Sequence, residues 1–436
     1  MLLLLTIQIS LTNCASVDTT SDVNKVHELI SDRTPDLKHP FKARSATPLK
    51  LDDAIGIAIA NDAKLKKELA VVVQRSAELT QAGQFPNPAI SGAFGIATDG
   101  MSGAPLVIRG MQGLSWLWTR PDKIASADAS LKQAILTASH RAMEIKRDVS
   151  IAFKKLSHAK TEMLFTTELL QLAELRLLHE QARFEIGEES VLHVAEDKKN
   201  YATVELLFDQ LQEQISNANI ELATLLGHPT HTAFILDDSR GQLDIDLNEF
   251  ELEQLLSLAQ KQRFDLLTSQ AVVQQRTAQL GLASPPEITG TLALNESSNG
   301  REALMPGLNI TLQLDKDATE TIADAKLEQS VAEHLHTMRG VQSQVQSSFN
   351  AFLHAASQKE IIQKNRIRPA HDIVNNTQLL HREGEASELQ VLQSQIELLK
   401  ERIEFVKKEQ ALDASYFNLQ FAVGGTFETL NKEGEQ

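Results

Sequence analysis

Cysteine is nearly absent from this chain, with one in 436 residues, at Cys14. That excludes an intrachain disulfide framework and any multi-cysteine metal site. Basic residues are in deficit, 42 Lys and Arg against 58 Asp and Glu, for a formal charge of −16. No basic block offsets that balance, which argues against binding a nucleic-acid backbone. Aromatic residues make up only 5% of the chain, thin for a globular enzyme core but ordinary for long helices rich in Ala, Leu, Gln and Glu. No phosphate loop, nucleophile motif or clustered acid pair stands out from solvated helix charge, so neither catalytic residues nor a cofactor is expected. His228 and His231, and His334 and His336, are spaced as metal pairs but show no third ligand. A zinc- or copper-handling enzyme built on them is a competing reading that metal analysis of the purified protein decides.

What is present is a duplication. The run Phe184-Glu185-Ile186-Gly187-Glu188-Glu189-Ser190-Val191-Leu192-His193-Val194 is echoed by His381-Arg382-Glu383-Gly384-Glu385-Ala386-Ser387-Glu388-Leu389-Gln390-Val391. Upstream, Pro88-Ala89-Ile90-Ser91-Gly92 is echoed by Pro286-Glu287-Ile288-Thr289-Gly290 at nearly the same offset. Two landmarks at one spacing define a two-copy architecture with a unit far longer than a solenoid repeat.

The first residues, 1–14, form a short apolar stretch too short to span a bilayer and read as a secretion signal. Leu11-Thr12-Asn13-Cys14 resembles a bacterial lipobox, which implies acylation of Cys14, although Asn13 is bulkier than usual there and no Lys or Arg precedes the stretch. A plain signal peptide with an incidental cysteine is the alternative. Residues 15–48, interrupted by Pro35, Pro40 and Pro48, read as an extended arm. Repeat 1 is placed at 49–240, repeat 2 at 241–425 and a polar tail at 426–436.

Each repeat opens on a helix, the first running from about Leu51 to Gln84, where Pro86 and Pro88 stop it. The period then changes from helical to two. In a hairpin over 286–315, Ile288, Gly290, Leu292 and Leu294 alternate with Glu287, Thr289, Thr291 and Asn295. Leu308, Ile310, Leu312 and Leu314 alternate with Asn309, Thr311, Gln313 and Asp315. The hairpin over 87–118 repeats this less cleanly, with Ile90, Phe94 and Ile96 on one face, then Leu106, Ile108, Leu114, Trp116 and Trp118. Trp116 and Trp118 are therefore expected on one strand face, as a belt at a membrane interface.

A long helix follows each hairpin. Leu131, Ile135, Ala138, Ala142, Ile145, Val149, Ala152, Leu156, Ala159 and Met163 step by four and three, a coiled-coil seam. The run from Pro121 to Ile186 is roughly 100 Å long at an α-helical rise. In the second half Val331, Leu335, Met338, Val345, Phe349, Phe352 and Ala356 keep the step, with Gln342 a polar exception, and Pro369 is expected to kink or interrupt the helix. Each run ends at a glycine turn, with tips near 187 and 384, and a second striped helix follows.

The predicted fold class is mainly α with a small β part: two repeats of long helical hairpins plus four β-strands per chain. An isolated hairpin is marginal in water, and four strands cannot close a barrel. Strands apolar on one face suit a transmembrane barrel, whose backbone must be fully paired, so further strands must come from other copies of the chain.

Over about residues 47–425 this order resembles the TolC-like outer-membrane efflux proteins. The resemblance is carried by Leu51-Asp52-Asp53-Ala54-Ile55 with Ala58, Ala60 and Asn61, by Gln84-Phe85-Pro86-Asn87-Pro88, by Leu225-Leu226-Gly227, and by Arg263-Phe264-Asp265-Leu266, where related members often have proline second. It implies a homotrimeric channel of the bacterial outer membrane, a twelve-stranded barrel in the membrane lipid and a periplasmic helical tunnel. It also implies a periplasmic membrane-fusion (adaptor) protein as partner, coupled to an inner-membrane RND or ABC pump. The family's docking tips match Ile186, Gly187, Glu188 and Ser190, and Glu383, Gly384, Glu385 and Ser387. Well-studied relatives carry constricting aspartates six and nine residues after the second tip glycine, where this chain has Gln390 and Gln393. The matching first-tip positions are His193 and Glu196, with Asp197 next, so a charged constriction here would use Glu196, Asp197 or Glu397. A non-channel coiled-coil scaffold or adhesion protein of the envelope is the alternative, one that gives no reason for two alternating hairpins.

Overall fold

The computed structural model describes residues 20–33, 48–95, 106–237, 251–283, 285–296, 302–311 and 316–425. The signal and Cys14, the alternating positions Ile96, Leu312, Leu314, Gln313 and Asp315, and the tail at 426–436 lie outside the described residues.

The arm holds a helix, α1 (Thr20–Arg33), contrary to the extended form expected. Pro35, Pro40 and Pro48 all follow it, so nothing within 20–33 opposes a helix. Val26 and Ile30, four apart, are both buried, and Asp22 accepts a hydrogen bond from Ser76 at 2.7 Å. The first long helix is also two, α2 (Leu51–Asn61) and α3 (Ala63–Gly83). Asp62 stands between them in an extended conformation and accepts the Leu65 N–H at 2.5 Å, starting α3 as a side-chain cap. The second repeat breaks in the same conformation at Arg263, between α6 (Leu252–Gln262) and α7 (Phe264–Gly281).

The chain divides into two compact units. One gathers Lys67–Ala138, Leu267–Thr337 and the N-terminal segment as far as Glu28; the other gathers Leu29–Lys66, Ser139–Leu266 and Met338–Gln436. The first unit contains all four strands, β1 (Ala89–Phe94), β2 (Leu106–Gly113), β3 (Glu287–Glu296) and β4 (Glu302–Thr311). The two hairpins are not isolated. They form one antiparallel sheet in the order β1-β2-β3-β4, with β2 paired to β3 from Leu106↔Glu296 to Gly113↔Thr289. Pairing across the repeats leaves only β1 and β4 as edges, and Pro306 sits on edge strand β4, where its missing N–H is tolerated. β3 runs on through Asn295 and Glu296.

The second unit is helical. The helix α4 (Trp116–Glu185), whose first turns belong to the sheet unit, is uninterrupted over 70 residues. Its seam is buried from Leu131 through Ala159. After the return helix α5 (Val191–Leu226) and α6, the second repeat continues as α8 (Lys316–Ile362), a π-helical turn (Gln363–Ile367) and α9 (Arg368–Arg382), then returns as α10 (Glu388–Val423). In the π turn the Arg368 N–H reaches back to the Gln363 carbonyl. That widening just ahead of Pro369 accommodates a residue that lacks an N–H and crowds the carbonyl four back. The α8 seam passes through buried Val341 beside the polar Gln342, and Val345, Phe349, Phe352 and Ala356 pack with Leu255, Leu412 and Leu419. Val331 and Leu335, predicted in that seam, are instead exposed, with nothing among the described residues covering their face.

Candidate functional site

The sheet register sorts its side chains strictly. Directly opposed residues of antiparallel strands share a face. One face therefore carries Ile90, Gly92 and Phe94 from β1, Leu106, Ile108, Gly110 and Gln112 from β2, Ile288, Gly290, Leu292 and Leu294 from β3, and Leu304, Pro306, Leu308 and Ile310 from β4. Glu296 and Glu302 end it at one edge of the ladder. This face is apolar and uncovered: Phe94 is 80% exposed, Ile90 72% and Leu308 60%. A contiguous apolar surface of this kind marks an interaction or membrane site. The opposite face is mostly small and polar, with Ser91, Arg109, Thr289, Thr291, Asn295, Asn309 and Thr311 among alanines, Val107, Met111 and Met305, and Glu287 at its end.

The tryptophans do not share a strand face. β2 ends at Gly113, and the Leu117 and Trp118 amides bond back to Leu114 and Ser115, starting α4 at Trp116. Two residues apart on a helix point in different directions. Trp116 packs against Phe85 with ring centres 4.6 Å apart and the Arg120 guanidinium above it at 5.2 Å.

The glycine turns duplicate down to single hydrogen bonds. Gly187 has φ of +82° and Gly384 +78°, the left-handed region that a side chain strains. Glu188 N–H donates to the Arg183 carbonyl at 2.9 Å, and Glu385 N–H donates to the Leu380 carbonyl at 2.8 Å. These are the long-range bonds of a Schellman helix end. Gly227 and Gly424, after α5 and α10, repeat the motif at the same separation of 197 residues.

The residues just past each tip differ. Ser387 accepts the Gln390 N–H at 3.3 Å while the Gln390 side chain accepts the Ser387 N–H at 2.8 Å, a neutral capping box. At the first tip Ser190 accepts the His193 N–H at 3.4 Å, and Glu189 accepts the Ser190 N–H at 2.9 Å. Glu189 also holds the His193 ring through Nδ1 and pairs with Arg183 at 3.2 Å. Donation from the His193 ring to the Glu189 carboxylate, with the carboxylate's charge, raises the His193 pKa above the ordinary histidine value. Of the other constriction candidates, Asp197 is buried and bound to Arg176 at 3.0 Å, Gln393 donates to Glu397 at 2.9 Å, and Glu196 is exposed. Ile186, Val191 and Leu192 leave the first tip apolar on its surface.

The polar joints at the helix breaks carry no signal in sequence periodicity. Asp62 pairs with Arg141 at 2.9 Å, and Asn61 donates to the last carbonyl of α5, Leu226, at 2.9 Å. Arg263 is buried, pairs with Asp265 at 2.6 Å and donates to the Ala422 carbonyl at 3.0 Å. Burial pushes the Asp62 carboxyl up, but the Arg141 and Leu65 hydrogen bonds outweigh it and hold it below the usual range. Of the histidine pairs, His334 bonds Ser269 at 2.8 Å and His228 lies against the Phe234 ring. Among the described residues no three His, Cys, Asp or Glu side chains converge, and no helix is long and apolar enough to cross a membrane.

Compared with known proteins, residues 255–425 match the sequence model of the outer membrane efflux protein family. Comparison with curated protein sequences gives no match. Solved structures share the fold over most of the chain. The outer membrane protein VceC of Vibrio cholerae aligns over 87% of this chain and 97% of its own, with TM-score 0.69 and 17% identity. CusC, whose structures concern folding and transmembrane channel formation, aligns over 88% and 94%, with TM-score 0.69 and 16% identity. The CmeC outer membrane channel of Campylobacter jejuni aligns over 88% of each chain, with TM-score 0.67 and 15% identity.

Proposed function

We infer, from a chain whose residues 255–425 match the outer membrane efflux protein family and whose fold is shared with solved outer-membrane channels over most of its length, that it is the outer-membrane conduit of an efflux or export system. The observation that carries this reading is the uncovered apolar face running across all four strands of a sheet with both edges open. In water that surface is a liability at the face and at the edges. In a bilayer it is the outside of a barrel, and the open edges are where neighbouring copies join. Transmembrane barrels begin at eight strands; two copies of this sheet give eight and three give twelve, and the resemblance to the trimeric channels selects three. Exposed Val331 and Leu335 fit that association, since they continue a buried seam into a stretch that the described residues leave uncovered.

In this reading the tips at Ile186, Gly187, Glu188 and Ser190, and at Glu383, Gly384, Glu385 and Ser387, receive the adaptor, which an inner-membrane RND or ABC pump drives. Cys14 carries lipid in the inner leaflet of the outer membrane, and Trp116 and Trp118 lie at the membrane interface from the first turn of α4 rather than from a strand. A scaffold or adhesion role leaves the apolar face without a purpose. The test is extraction and export. The protein should leave outer-membrane fractions only with detergent, as a trimer, and its deletion should raise accumulation of pump substrates in cells. A well-ordered monomer recovered without detergent would overturn the reading.

A further inference from the structure

The polar face of the sheet holds one charged side chain away from the strand ends. Arg109 sits mid-strand on β2, directly opposite Ser91 on β1 and Ala293 on β3, with Met305 of β4 next in the same row. Its diagonal neighbours on that face are Ala89 and Ala93 on one side and Thr291 and Asn295 on the other. None is acidic. Arg109 is exposed, and among the described residues its side chain has neither a hydrogen bond nor an ion pair. The nearest acid on its face is Glu287, six positions along β3 from Ala293, about 20 Å at the rise of a strand.

Two ordinary uses of an arginine do not fit. Basic residues on exposed edges block strand addition, but β2 lies between β1 and β3. A structural ion pair would need a carboxylate, and the row and diagonals supply only Ser, Ala, Thr, Asn and Met. On the lipid face a guanidinium near the midplane would cost about 2–4 kcal/mol, and the register puts Arg109 on the other face. A chain of net charge −16 thus places an uncompensated cation in the middle of the surface that a barrel turns toward its lumen.

We propose that Arg109 forms the cationic ring of the barrel lumen, one guanidinium from each copy, and sets a preference for anionic solutes at the exit. This rests on the channel reading above. An unscreened unit charge changes the concentration of a mobile ion about 4 Å away by roughly fivefold in water, and clefts lined by one sign of charge focus that effect. The tips carry their own charges, so the inference concerns the change on substitution rather than the absolute selectivity.

The experiment is reversal-potential measurement on full-length protein in planar bilayers under a potassium chloride gradient. The chloride-to-potassium permeability ratio should fall about twofold or more in Arg109→Gln and further in Arg109→Glu, with Arg109→Lys close to the starting protein. The differences should shrink between 0.1 M and 1 M salt, where the screening length falls from about 10 to 3 Å. If a variant fails to insert, Arg109→Cys in a Cys14→Ser background allows the same pores to be compared after attachment of a cationic or an anionic thiol reagent. Unchanged reversal potentials in conducting pores overturn the inference and leave the channel intact. A starting protein that forms no pores at all removes the channel reading and this inference with it.

Discussion

Glycines in the same left-handed conformation face different surroundings, and substitution should separate them. A Cβ on Gly187 meets nothing within 4 Å, so Gly187→Ala should cost only the left-handed backbone, about 1–2 kcal/mol. A Cβ on Gly424 falls 3.0–3.2 Å from the backbone of Gln262 and Arg263, at a φ of +92°. Gly424→Ala should add overpacking of about 1–3 kcal/mol to the same backbone strain. Thermal melts in detergent should therefore show a clearly larger loss for Gly424→Ala. The docking role assigned to the first tip is probed by Gly187→Trp, which should keep the trimer and abolish export; normal export would reduce the turn to a hairpin closure. Asp62 offers a test by pH. Its depressed folded pKa means that the Arg141 pair stabilises fully above the ordinary carboxylate range, with the contribution lost as pH falls through the folded value. Asp62→Asn should cost about 1–3 kcal/mol at neutral pH, and the gap to the native protein should close in acid. A gap independent of pH would mean the charge is not what matters. Nothing in the apolar periodicity marked Asp62 or Arg263, because both act through polar partners: the Leu65 N–H and Arg141 for Asp62, Asp265 and the Ala422 carbonyl for Arg263.

At the scale of the element, the two long helical runs are copies that pack differently. In the second the π turn over Gln363–Ile367 buries none of its residues. The matching stretch of α4, 197 positions earlier, includes fully buried Thr166 and Leu169. Amides of the π turn and the residues beside Pro369 should exchange with deuterium faster than those around Thr166 and Leu169, since fewer buried contacts resist local opening. Equal protection at both places would contradict this. The α4 seam was legible in the sequence because burial repeats every three or four residues over many turns, enough to drown single exceptions. Pro369 was legible as an interruption, though not as a π turn. Helix α1 was missed because the prolines that follow it coloured the whole arm, and of its four aliphatic residues only Val26 and Ile30 are buried. The tryptophans were misplaced because Leu114, Trp116 and Trp118 keep the parity of the strand beyond the point where backbone bonding has turned helical. Between the tips the shared frame carries different chemistry: neutral Ala386 and Gln390 stand where the first tip has titratable Glu189 and His193. By nuclear magnetic resonance His193 should titrate above the ordinary histidine value, and Glu189→Gln should bring it down; no change would show that the pair does not hold in solution.

At the scale of the whole molecule, duplication and alternation made the class of fold readable before any coordinates, since each strand carries its facing rule in its own parity. The pairing of β2 with β3 was not readable, because it joins segments almost 200 residues apart and local pattern says nothing of distant partners. That pairing turns two marginal hairpins into one sheet with a single apolar face, the face that lipid covers in a barrel. Single cysteines introduced at even and odd positions test it most directly, and the only native cysteine, Cys14, is removed by Cys14→Ser. In native outer membranes, cysteines replacing Ile90, Leu292 or Leu308 should resist a charged, water-soluble thiol reagent and accept a lipid-soluble one. Those replacing Ser91, Thr291 or Asn309 should react with the charged reagent from the lumen. Equal labelling at both parities, or the reverse pattern, would contradict the barrel and the channel built on it.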